Sequence, residues 1–132
     1  MSLEAEILTS SRVVALVGIS PKPTRPSCRV ASYLKRKGYR IIPVNPGIKQ
    51  ILGETSYPDL LSIPERVDVV DIFRRSEDVP AIVEEAIKIG AKTVWMQEGV
   101  INEEAAARAR EAGLRVVMNK CMRKEHLKLQ IL

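Results

Sequence analysis

Five short apolar-rich runs recur along the chain, and most of them are separated by segments with helical periodicity. The runs are Val13–Val17, Tyr39–Val44, Val67–Phe73, Lys92–Met96 and Leu114–Met118. Continuous apolar runs of this length suit strands buried on both faces. Helical character follows Ser27, with Val30, Tyr33 and Leu34 on one face, Lys35, Arg36 and Lys37 in the last turn and Gly38 as the stop. A second helix is expected over Ser76–Ile89, with Ile82, Val83, Ala86 and Ile87 inward and Pro80 tolerable only near its first turn. A third opens at Asn102-Glu103-Glu104 and ends at Gly113, and a fourth runs from Met122 to Leu132. Alternating strands and helices require βαβ units, right-handed crossovers and a parallel sheet covered on both faces. The expected fold is therefore α/β: a Rossmann-like three-layer sandwich with a mainly parallel five-stranded sheet, in one domain over residues 1–132.

Smaller signals fill the remaining segments. Pro43 removes a ladder donor, so the second strand is expected at or near a sheet edge. Residues 51–57 read as irregular, with room for a very short strand, and Pro58–Ile63 as one helical turn. No apolar run approaches the ~20 residues needed to span a bilayer, and the first residues carry no secretory pattern. Cys28 and Cys121 lack metal-ligand or CxxC spacing, so they are expected as thiols in a reducing, cytoplasmic compartment. The net charge of +5 favours anionic partners, but aromatic residues are only 4% and the basic residues are scattered. Nucleic acid is therefore not an expected partner, and neither is a membrane. A homodimer is compatible with such a domain, although no exposed apolar stripe names an interface.

Open parallel α/β sheets bind ligands outside the carboxyl ends of their strands. The candidate binding residues are thus Gly18-Ile19-Ser20, Val44-Asn45-Pro46, Phe73-Arg74, Gln97-Glu98-Gly99 and Asn119-Lys120-Cys121. In the first loop, Lys22, Arg25 and Arg29 add positive charge beside a helix start at Ser27, a combination that attracts phosphate. Only Gly18 is present of the G-x-G-x-x-G fingerprint, and no Walker A loop exists. The second strand ends in Asn45-Pro46, where NAD would want a carboxylate for its ribose. Both departures favour a phosphorylated ribose, as in NADP or coenzyme A. Gly99 either lets a backbone approach a ligand or serves a plain turn. Phe73-Arg74 either flanks the site or is a core ring with an exposed guanidinium. Cys28 is either a reactive thiol at a helix start or a small buried residue. His126, the only histidine, reads as a helix-surface or capping residue, and Asp68 and Asp71 bracket a strand without a matching base. No metal-ligand cluster stands out.

Several strand-end segments match together: Val17-Gly18-Ile19-Ser20, Arg25-Pro26-Ser27, Gly38-Tyr39, Pro43-Val44-Asn45-Pro46, Val70-Asp71-Ile72-Phe73-Arg74, Trp95–Val100, and Val117–Cys121 followed by Glu125-His126. In this order they resemble the small stand-alone CoA-binding proteins, whose fold resembles the N-terminal CoA-binding domain of the succinyl-CoA synthetase α-subunit. The resemblance covers nearly the whole chain. It implies coenzyme A as cofactor, with the ADP phosphates held by the first loop and the start of its helix. It further implies that Asn45-Pro46 and Phe73-Arg74 flank the nucleotide and that Gln97-Glu98-Gly99 borders the pantetheine. Many relatives read Met-Asp-Arg-Cys where this chain has Met118-Asn119-Lys120-Cys121, so an amide stands at Asn119 in place of their carboxylate. The synthetase's catalytic phosphohistidine lies in a further domain, so the resemblance supports binding as a carrier, sensor or regulator and not ligase chemistry. The competing expectation is an enzyme, an NADP-dependent reductase or a small acyl-CoA transforming activity, using Cys28, Cys121 or His126.

Overall fold

The five strands assemble side by side into one sheet in the computed structural model, which describes residues 1–131. The elements run α1 (Leu3–Ser10), β1 (Val13–Val17), α2 (Pro26–Arg36), β2 (Arg40–Val44), a hairpin of β3 (Gln50–Ile51) and β4 (Glu54–Thr55), a 3₁₀ turn (Leu60–Ser62), β5 (Val69–Ile72), a 3₁₀ turn (Ser76–Asp78), α3 (Val79–Lys88), β6 (Thr93–Met96), α4 (Glu103–Glu111), β7 (Arg115–Val117) and α5 (Met122–Ile131). The main sheet has the order β2-β1-β5-β6-β7, and every pairing in it is parallel. The fold is thus a Rossmann-like α/β sandwich. Leu132, assigned to the last helix by its sequence, lies outside the described residues.

Alternation along the strands divides the core in two. Ala15, Val17, Val70, Ile72, Val94 and Met96 point to one face, against α3, α4 and the turn at Leu60. Val14, Leu16, Val69, Trp95 and Val117 point to the other, against α1, α2 and α5. Because both faces are covered, each central strand is apolar at successive positions rather than at alternate ones. Trp95 is fully buried and satisfies its indole N–H on the Lys120 carbonyl at 2.8 Å.

β2 lies at the sheet edge, where Pro43 can stand without breaking a ladder. Tyr57 partly closes that edge: its N–H donates to the Pro43 carbonyl at 3.0 Å, and its carbonyl accepts from the Asn45 N–H at 2.9 Å. Two elements differ from expectation. The helix expected from Ser76 begins as a 3₁₀ turn, and regular α-geometry starts at Val79 with Pro80 inside its first turn. The N-terminal segment, which carried no structural expectation, forms α1. Ser2 caps it by accepting from the Ala5 N–H at 3.1 Å, and Ala5, Ile7 and Leu8 bury the sheet face beside α5.

Candidate functional site

The chain reverses its direction of winding between β1 and β5, so the loops after these two strands diverge and leave a crevice. In doubly wound sheets this switch point is where ligands sit. A cavity of about 480 Å³ opens there. Its lining comes from the loop after β1 and the start of α2 (Gly18, Ile19, Ser20, Pro21, Arg25, Pro26, Ser27), from Asn45, from Phe73 and Arg74, and from Gln97, Glu98 and Val100. A second cavity of about 340 Å³ adjoins it and shares Gly18 and Arg74. Val17, Val44, Pro46, Leu60 and Ile82 give it apolar walls, with Asp59, Glu77, Asp78 and Glu85 among its polar lining.

Gly18 makes the crevice possible. Its φ is +86°, and a Cβ there would lie 2.6 Å from Arg74 Cδ and 2.8 Å from the Phe73 carbonyl oxygen. No side chain larger than hydrogen fits without moving backbone. The loop beyond it is pinned from both ends. The Ser20 N–H donates to Ser27 Oγ at 2.9 Å, the Lys22 N–H donates to Ser20 Oγ at 3.1 Å, and Asn45 Nδ2 donates to the Ile19 carbonyl at 2.8 Å. Asn45 Oδ1 accepts from the Gly47 N–H at 2.8 Å, so this amide clamps two loops.

The start of α2 is open. Arg25 occupies its N-cap with no side-chain hydrogen bond to the first turn, and Pro26 follows. An uncapped helix start presents N–H donors and the positive end of the helix dipole to whatever lies in the crevice. Arg25 is exposed and, among the described residues, has no carboxylate partner. Arg74 is held differently, by Asp78 at 3.2 Å. Glu98 pairs with Lys124 at 3.0 Å. Gln97 is buried and accepts the Met122 N–H at 3.2 Å, which ties the floor of the cavity to the start of α5.

Other residues singled out by sequence stand nearby without lining this cavity. Lys22 belongs to the same loop. Gly99 adopts φ +84° in a turn closed by the Val100 N–H on the Gln97 carbonyl, and a Cβ on it would meet open space, so its freedom serves the turn. Asn119, itself at φ +60°, accepts the Gly99 N–H at 2.8 Å and joins the loops after β6 and β7. Cys28 faces a third cavity on the outer side of α2, and Cys121 is buried in the core; both are free thiols.

His126 lies half-buried on α5. Its Nδ1 shares a hydrogen bond with the Tyr33 hydroxyl at 2.8 Å, and its ring meets Tyr33 and Tyr39 edge-on. Burial, and next the Lys37 charge, hold its pKa below the usual histidine value. Asp71, expected to bracket a strand with Asp68, lies inside β5 instead. It is completely buried on β5 between Leu16 and Trp95, and neither carboxylate oxygen has a hydrogen-bond partner. Burial pushes its pKa far above the usual carboxylate value. The signal available was an Asp flanked on both sides by Val69-Val70 and Ile72-Phe73. Among the described residues there is no cluster of three metal-ligating side chains, and no helix is long and apolar enough to cross a membrane.

Fold and crevice together define a Rossmann-like domain with a polar, partly basic cavity at its switch point. The chain belongs to the CoA binding domain family, whose model matches residues 12–127. It is 40% identical over 121 residues to "Uncharacterized protein YneT" of Bacillus subtilis, covering 92% of this chain and 90% of that one. A solved structure, "hypothetical protein from Pyrococcus horikoshii OT3", superposes with a TM-score of 0.94 at 46% identity, covering 96% of this chain and 89% of the other. The chain is also 29% identical over 127 residues to "Acetate--CoA ligase [ADP-forming] I" of Archaeoglobus fulgidus; it covers 18% of that protein's length.

Proposed function

We propose that this protein binds coenzyme A, free or acylated, at the carboxyl edge of its sheet, as a one-domain cytoplasmic carrier, sensor or regulatory module without ligase chemistry of its own. Family membership supports coenzyme A binding at a general level. The observation that carries the finer reading is the uncapped start of α2 beneath the cavity walled by Gly18, Ser20, Arg25 and Ser27. Those backbone donors suit the diphosphate. The adjoining cavity, with Val44, Pro46 and Ile82 in its walls, suits the purine, and the Gln97–Glu98 side suits the pantetheine. Asn45 places no charge at the end of β2, so a phosphorylated ribose meets no carboxylate from this position. The competing enzyme reading lacks a comparable observation. Cys28, Cys121 and His126 occupy three separate surroundings, and none lines the main cavity.

Isothermal titration with coenzyme A, dephospho-CoA, NADP and NAD tests this. Coenzyme A should bind tightest, dephospho-CoA measurably weaker and NAD weakest. NAD binding as tightly as coenzyme A would sink the proposal.

A further inference from the structure

The third cavity, about 450 Å³, lies on the outer side of α2 and has a different character from the crevice. Cys28, Ser32 and Arg36 are spaced by four along one helix face, with Arg29 beside them. Pro21, which it shares with the rim of the crevice, and Pro23 wall it on one side, Leu52 of the β3–β4 hairpin on another, and Arg123 of α5 on a third. Three arginines thus line one concavity with no acidic residue in its lining. Other surface cations do pair with carboxylates, as Lys35 and Arg40 do with Glu54 and Arg108 with Glu84. Among the described residues, Arg29, Arg36 and Arg123 enter no salt bridge. Two of them are nonetheless held in place. Arg36 donates to Ser32 Oγ at 3.3 Å, and the Arg123 guanidinium stacks over the Tyr33 ring at 5.6 Å. Positioned, mutually repelling guanidiniums around a concave surface leave fork-shaped donors for an anion with several oxygens.

We infer that this cavity is a second anion site, separate from the crevice, which takes a diphosphate group between Arg29, Arg36 and Arg123. The inference does not depend on coenzyme A being the ligand of the crevice. The probe is inorganic pyrophosphate, titrated calorimetrically at fixed ionic strength with and without saturating coenzyme A. Methyl diphosphate, titrated in parallel, carries the same group on an ester. Wild-type protein should bind pyrophosphate with an affinity that coenzyme A changes less than twofold. Arg36→Gln with Arg123→Gln should weaken it at least tenfold, and Arg29→Gln alone at least threefold. Arg36→Gln with Arg123→Gln should leave the coenzyme A titration unchanged, and melting curves of both variants check the fold. Tighter binding of methyl diphosphate assigns the site to an esterified ligand, and weaker binding to the inorganic ion. Displacement of pyrophosphate by coenzyme A, equal affinity in the arginine variants, or no pyrophosphate binding at all would each overturn the inference. A protein that ignores coenzyme A but binds pyrophosphate in this arginine-dependent way would refute only the functional proposal.

Discussion

Gly18 directly follows β1, and Asp71 lies on β5 beside it. At Gly18 the positive φ and the approach of Arg74 and the Phe73 carbonyl coincide. Strain of this kind costs on the order of 1–3 kcal/mol. Gly18→Ala is therefore expected to lower the melting temperature and, because the shifted atoms wall the cavity, to weaken coenzyme A binding at least tenfold. A variant that melts lower but binds normally would separate the glycine from the site. Asp71 presents the opposite case, a buried group without a partner. Its folded pKa is raised, so the protonated form is favoured in the folded chain. Its contribution to stability is fully present below the unfolded carboxyl's value and is lost as pH rises toward the folded value, at up to about 1.4 kcal/mol per pH unit. Asp71→Asn keeps the shape and removes the titration. The stability difference, variant minus wild type, should grow steadily from pH 4 upward in denaturant melts. A difference that stays flat with pH would mean that Asp71 acquires a partner in solution.

At the scale of elements, α5 is fastened at its start and again along its length. Gln97 accepts the N–H of Met122 at its start, and His126 joins it to α2 through Tyr33. The depressed pKa of His126 makes the second attachment acid-sensitive. Above the ordinary histidine value both folded and unfolded forms are neutral. As pH falls below it, the unfolded chain takes up the proton first, and stability declines until the folded ring protonates too. Amide exchange in α5 should therefore quicken relative to that in β1 as pH falls below about 6.5, the ordinary histidine value. His126→Gln should abolish the pH-dependent part of that acceleration. The same helix shows what sequence patterns carry. Its existence and start at Met122 were legible from periodicity, as were the five strands and the edge position announced by Pro43. The partnership of His126 with Tyr33 was not, because it joins residues 93 apart in the chain. α1 was passed over because it is only eight residues long, although Ser2 with Glu4 behind it is a readable helix start. The strand-end rule brought Gly18, Ser20, Arg25, Ser27, Asn45, Phe73, Arg74, Gln97 and Glu98 to one cavity. It did not separate lining residues from those that hold loops together, such as Gly99 and Asn119, since both kinds occupy turns after strands.

The whole molecule concentrates its irregular backbone at one end of the sheet. The loops after β1, β5 and β6 line the crevice, whereas the opposite ends of these strands are closed by direct bonds, as where Asp68 accepts the N–H groups of Arg12 and Val13 at 2.9 Å. A ligand in the crevice therefore bridges elements that wind away from each other on either side of the switch point, and it stabilises the fold by mass action. At a hundred times its Kd, coenzyme A should add about 2.7 kcal/mol, which for a chain of this length is a rise of about 10 °C in melting temperature. The protection should be one-sided. Hydrogen exchange should slow in residues 18–28 and 97–100 and stay unchanged at residues 12–13 and 91–92, because only the carboxyl edge gains a partner. Protection spread evenly over both ends would indicate general tightening of the domain, and protection confined to the outer face of α2 would move the ligand to the arginine-lined cavity instead.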